Sequence, residues 1–155
     1  MEDQSKQVIQ GGGFLINESS PSNTFTPEDF TEEQRLIEDT CADFLAKEVR
    51  PKLQEIDNQE EGLMSALLDN AGELGLLGAA FPQQYGGLGE DFVTATIINE
   101  SLGAGHSFSV AVAAHNGIGS LPILYFGTEE QKLKYVPKLA TGELKGAYAL
   151  TEPNS

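Results

Sequence analysis

The sequence predicts an all-α fold, a helical bundle of five or six helices, with one terminal β-strand after it. Three observations carry that expectation. Two Thr-Glu-Glu-Gln strings, starting at Thr31 and Thr128, have the form of a capping box, in which a threonine oxygen and a glutamine side chain satisfy each other's backbone donors at a helix start. Between them, apolar residues recur at three- and four-residue spacing, which puts them on one face of a helix. Only near the end does the period drop to two, where Tyr148 and Leu150 alternate with Ala147 and Ala149 as in a strand.

Residues 1–25 read as a polar arm, interrupted by Gly11-Gly12-Gly13 and the apolar triplet Phe14-Leu15-Ile16. That triplet either clamps onto the body or a second subunit, or is only loosely docked. From Thr31 a first helix carries Ile37, Cys41, Phe44, Leu45 and Val49 on one stripe, and Pro51 is expected to stop it. Cys41 on that stripe reads as a small core residue. A second helix runs through Leu63, Leu67, Ala71 and Leu74 to a left-handed cap at Gly75, with Glu60 and Glu61 near its positive end. The loop Phe81 to Gly89 holds three glycines and reads as a shaped turn that orients Tyr85. Phe92 to Leu102 is a third helix closing at Gly103; Phe108 to Asn116, built of Ala, Val and Ser, is a fourth. A short helix follows Ser120-Leu121-Pro122 and ends at Gly127. The last starts at Thr128, with Leu133 and Val136 inside and Lys132, Lys134 and Lys138 outside, and is expected to end around Pro137.

The chain has 155 residues, with 24 acidic side chains against 9 basic ones and a formal charge of -15. Scattered bases in such a balance exclude a nucleic-acid binder, which needs clustered Lys and Arg to neutralise phosphates. An anionic membrane surface would repel it. The polar start, Met1 to Gln10, is unlike a secretory signal, and the single Cys41 fits a reducing compartment, so a cytoplasmic protein is expected. Ser101 to Thr128 has no Asp, Glu, Lys or Arg, but its serines, glycines and Pro122 point to a helix buried on all sides by other helices rather than to a membrane span. Self-contained catalytic patterns are absent: no HExxH, no CxxC, no calcium loop, no Walker loop and no dinucleotide fingerprint. His106 and His115 lack a nearby set of partners, and each reads as a helix-terminus or a buried hydrogen-bonding histidine, so no metal is expected.

The segments Phe30 to Arg35, Glu48 to Pro51, Glu73 to Gly78, Phe81 to Gly89, Pro122 to Lys138 and Leu139 to Pro153 together resemble the acyl-CoA dehydrogenase family, in order and at its usual intervals. The string Ala149 to Ser155 is the specific element, since it looks like the start of a family signature that would continue Gly-Ser-Asp. The arm from Gly11 to Ile16 and the stretch Ala114 to Gly119 further resemble the long-chain and very-long-chain branch. The resemblance implies a tetrameric FAD enzyme that dehydrogenates fatty acyl-CoA between the alpha and beta carbons and passes electrons to electron-transfer flavoprotein. It divides the chain into the arm, a helical domain over 26–145, and over 146–155 the first strand of a flavin-binding β domain that is truncated here.

By that resemblance Tyr148, Leu150 and Thr151 contact the flavin, and Val110, Ala111, Ala114 and Ile118 line the pocket for the acyl tail. No residue takes the catalytic role, because the family's base maps beyond Ser155, and Glu152 reads as a turn residue before Pro153. The chain alone is therefore expected to be inactive, and the apolar faces of the third and fourth helices to drive association into a homo-oligomer, a dimer or tetramer. Two other readings remain open: a stand-alone helical interaction module, and a related flavin acyl-CoA oxidase.

Overall fold

A computed structural model describes residues 8, 9 and 11–153. The chain forms two compact units, divided between Arg35 and Leu36. In the first, three short 3-10 turns span Gly11–Leu15, Pro21–Asn23 and Pro27–Asp29. The last two are held by side-chain caps, with the Ser20 amide donating to Asn23 Oδ1 and the Thr26 amide to Asp29 Oδ2, each at 2.8 Å. Phe14, Leu15 and Ile16 are all exposed. Residues 1–7 and 10 of the expected arm lie outside the described residues.

Helix α1, Glu32–Phe44, begins in the first unit and continues into the second. Its capping box forms as expected: the Gln34 amide donates to Thr31 Oγ1 at 3.1 Å, and the Thr31 amide to Gln34 Oε1 at 3.0 Å. Pro51 does not stop the coil. After Phe44 the winding widens to a π-turn over Leu45–Val49, where the Arg50 amide reaches back to the Leu45 carbonyl, then tightens to a 3-10 turn over Arg50–Lys52 and resumes as α2, Leu53–Asp57. Proline sits in the first turn of a new segment, where its missing donor costs nothing. Leu45 and Val49, at the two ends of the widened turn, are both buried in the core.

Helix α3, Leu63–Glu73, starts at Gly62, so Glu60 and Glu61 precede it rather than forming its first turn. It ends in a Schellman motif: Gly75 has φ +77°, the Leu76 amide donates to Ala71 and the Gly75 amide to Gly72. Helix α4, Phe92–Leu102, is capped by Asp91, and a 3-10 turn over Gly103–Gly105 leads to α5, Ser107–Asn116. Helices α6, Leu121–Phe126, and α7, Glu129–Ala140, complete the unit. Among the described residues there are thus five longer helices and two of five or six residues.

One core gathers Cys41, Phe44, Val49, Leu67, Leu77, Leu102, Phe108 and Val112 from α1, α3, α4, α5 and their connections. A second joins Phe81 and Tyr85 to Leu124, Val136, Leu139 and Ala140. Cys41 has no exposed surface, and burial, with Glu38 adding to it, pushes its thiol up to about 12. It is packing material.

Four further expectations are corrected. Pro137 does not end α7, which runs on to Ala140. Leu133 is exposed, whereas Val136, Leu139 and Ala140 form the inner face, so the stripe lies one step round from the predicted one. Lys132 is half-buried beside Glu129 at 3.0 Å rather than fully outside. The charge-free segment is not buried on all sides: Ser107–Phe126, long and apolar enough to cross a bilayer by length and composition, is split into α5 and α6 by a turn at 117–120, and Val110, Ile118, Tyr125 and Phe126 are exposed.

The terminal strand does not form among the described residues; 143–152 is irregular, and Asn154 and Ser155 lie outside them. A strand needs a neighbour for its ladder. The Gly146 amide instead donates to His115 Nδ1 at 2.9 Å.

Candidate functional site

Helix α5 is positioned by the turn before it. Gly105 is buried where a Cβ would meet Ser109 Oγ at 2.9 Å and Leu45 Cδ2 at 3.0 Å, so any larger residue there would have to displace those side chains. His106 follows at φ +54°, and α5 then presents three distinct faces. Phe108, Val112 and His115 are fully buried and fasten the helix to the core. Ser109, Val110, Ala113, Asn116 and Gly117 face a cavity. Val110, Ala114 and Ile118, spaced by four, run along the outer side, with Val110 69% and Ile118 48% exposed.

The cavity has a volume of about 470 Å³ and is walled by the 77–81 segment, α4, α5, Leu121 and Tyr125. Phe92, Ala95 and Ile98 supply its α4 wall. Most of its surface is hydrocarbon, which suits an apolar ligand and offers little to a charged one. Asn116 bridges α5 to the wall, its Nδ2 donating to the Leu76 carbonyl at 3.0 Å, while its buried Oδ1 has no hydrogen-bond partner.

Of the four residues expected against an acyl tail, Val110 lines this cavity. Ala111 packs on the first core, Ala114 is half-buried on the outer stripe with its carbonyl accepting from the Gly119 amide at 2.8 Å, and Ile118 lies further along that stripe. The structure therefore separates an enclosed face of α5 from an open one. Phe92, Ala95, Asn116 and Tyr125 are cavity residues that the sequence pattern missed. Their only local signal is a large ring in the first turn of a helix and a lone amide in a charge-free run.

The three residues expected at the flavin lie together on the irregular segment after Gly146. Tyr148 is 51% and Leu150 69% exposed, and Thr151 is also exposed. Among the described residues no backbone hydrogen bond involves 147–151. Glu152 follows, exposed. Among the described residues no three His, Cys, Asp or Glu side chains converge as a metal site.

The glycine-rich loop turns Tyr85 inward as expected. Gly86 and Gly89 have φ +82° and +73°, a Cβ on Gly87 would lie 2.1 Å from the Phe81 carbonyl oxygen, and the Tyr85 hydroxyl donates to Glu129 at 2.7 Å.

A family profile described as the acyl-CoA dehydrogenase N-terminal domain matches residues 31–143. The chain is 48% identical over 155 residues to a probable acyl-CoA dehydrogenase of Bacillus subtilis, covering 100% of this chain and 26% of that one. It is 39% identical over 126 residues to a short-chain-specific acyl-CoA dehydrogenase of Clostridium acetobutylicum, covering 81% of this chain and 33% of the other. Among solved structures, an acyl-CoA dehydrogenase from Bacillus anthracis complexed with FAD superimposes with a TM-score of 0.88 at 49% identity, over 96% of this chain and 25% of that one. The chain spans about a quarter to a third of the length of these proteins.

Proposed function

The chain belongs to the acyl-CoA dehydrogenase family, and from that premise we propose that it is the N-terminal part of a flavin enzyme that dehydrogenates fatty acyl-CoA between the alpha and beta carbons. The observation that carries this reading is the agreement, over 96% of the chain, with an FAD-complexed dehydrogenase. In the proposal residues 1–25 are an arm, 26–145 the helical domain, and 146–155 the opening of a flavin-binding β domain.

The residues present fit such a cofactor. Tyr148, Leu150 and Thr151 are exposed, and among the described residues no backbone hydrogen bond involves them, which leaves them available to a flavin ring. Bound there, the flavin supplies the acceptor for the beta hydride. The chain's own part is to hold that edge in place and to keep water from the substrate tail. Val110, Ala111, Ala114 and Ile118 remain our candidates for the tail, Val110 standing where the outer stripe meets the cavity. None of the residues here is assigned the base.

Small apolar residues along the stripe favour long acyl chains, since each methylene buried there gains about 0.8 kcal/mol. The proposed electron acceptor is electron-transfer flavoprotein, and the proposed setting a cytoplasmic homo-oligomer. The full-length protein should purify with bound flavin, whose absorbance bleaches on adding an acyl-CoA. Across a series from butyryl-CoA to palmitoyl-CoA, kcat/KM should rise by about tenfold or more. A colourless protein would overturn the flavin reading; an optimum at butyryl-CoA would overturn the long-chain one.

A further inference from the structure

Between the last helix and the open edge at 148–151, the chain is fastened at several points. Leu144 donates its amide to the Lys138 carbonyl at 3.0 Å, Glu143 pairs with Lys138 at 2.7 Å, and Lys145 pairs with Asp69 on α3. The last of these points is Gly146. Its backbone crosses the turn before α6 so closely that a Cβ on Gly119 would lie 2.6 Å from the Gly146 carbonyl carbon, and its amide donates to His115 Nδ1. Beyond it no backbone bond holds 147–151 among the described residues.

His115 has no exposed surface, and both ring nitrogens are engaged. Nε2 lies 2.8 Å from the Leu139 carbonyl, which can only accept, and Nδ1 lies 2.9 Å from the Gly146 amide, which can only donate. Those partners assign the proton to Nε2. One ring thus caps a carbonyl in the last turn of α7 and sets where the strap leaves the core, two residues before Tyr148.

We propose that His115 is a positioning residue that sets the register of the flavin-contacting segment 148–151 through its bond to the Gly146 amide. The flavin half of this statement rests on the function proposed above. His115 touches neither the proposed flavin edge nor the cavity, so it acts on them only through the strap.

Two isosteric variants separate this role from simple support of α7. In His115→Asn the side-chain oxygen takes the place of Nδ1 and keeps the Gly146 bond while losing Leu139. In His115→Gln the amide nitrogen takes the place of Nε2 and keeps Leu139 while losing Gly146. In the full-length protein, His115→Gln should bind FAD about tenfold more weakly and speed hydrogen exchange at the Gly146 amide by a similar factor, as expected for a part-buried amide left without its acceptor. His115→Asn should stay close to wild type in both.

Equal behaviour of the two variants, or impairment of the Asn variant alone, would overturn the proposal. If wild type binds no flavin, the function reading fails by itself, and exchange at the Gly146 amide still decides whether His115 holds the strap. Should neither variant fold, imidazole 15N shifts of the unaltered protein decide the point. An unprotonated Nδ1 supports the bond to Gly146, and a protonated one removes it.

Discussion

The Tyr85 hydroxyl and the Glu129 carboxylate join the glycine-rich loop to the first turn of α7 through one hydrogen bond. That bond, aided by Lys132, holds the Glu129 carboxyl below its ordinary value of 4.5. A carboxylate whose pKa is lowered by folding stabilises the folded state above its ordinary pKa, and the contribution fades as pH falls through the lowered one. Tyr85→Phe keeps the buried ring and removes only the donor. Its melting temperature should lie below that of wild type at neutral pH, and the gap should close as pH drops below 4.5. Thermal melts of both proteins between about pH 7 and pH 3 check this; a gap that stays constant across that range would show that the bond to Glu129 is not its source. His115 responds in the same direction for a different reason: burial holds its pKa below the ordinary 6.5, with Lys145 adding to the effect and the Leu139 bond opposing it. Its contribution is complete above 6.5 and is lost on acidification.

At the scale of elements, backbone approach decides what side-chain pattern alone cannot. Gly72 lies inside α3, where helix propensity alone would favour alanine by up to about 1 kcal/mol. A Cβ there would sit 2.3 Å from the Thr141 carbonyl oxygen, at the turn after α7. Gly72→Ala should therefore destabilise by about 1–3 kcal/mol, lowering the melting temperature by about 2–12 °C. Gly103→Ala, where nothing lies within 4 Å and φ is not positive, should be neutral or slightly stabilising. Equal melting temperatures for the two variants would refute the close approach.

The same distinction marks how far the elements were legible. Caps and stops that rest on local chemistry, at Thr31, Gly75 and Thr128, were readable, because their partners lie within five residues. Pro51 and Pro137 misled, since a proline need not end a winding: Pro51 lies in the 3-10 turn that follows a π-turn, and α7 runs on through Pro137 to Ala140. The strand failed because alternation describes a surface and not a partner. The stripe Val110, Ala114, Ile118 was named from family resemblance, and the tail-binding role of those residues stays a proposal. The cavity beside it was invisible because Phe92, Val110 and Tyr125 meet from three helices.

For the whole molecule, two opposing quantities are large. The chain carries a formal charge of -15, and it also leaves Phe92 and Phe126 more than 80% uncovered, with Tyr125, Val110 and Leu133 exposed beside α4, α5 and α7. Burying three such aromatic rings between copies gains on the order of 10 kcal/mol. Association itself costs about 4–15 kcal/mol, so the two terms nearly cancel and repulsion decides. Repulsion is the adjustable term: it reaches about 30 Å at 0.01 M salt and about 3 Å at 1 M. The 155-residue chain should therefore sediment as a monomer at low salt and associate as salt rises. Phe126→Ser should weaken that association at high salt without lowering the melting temperature, because the ring contacts water rather than core. Sedimentation velocity at the two salt concentrations tests it directly. A monomer under both conditions would mean that the exposed rings are too scattered to form one contact between copies.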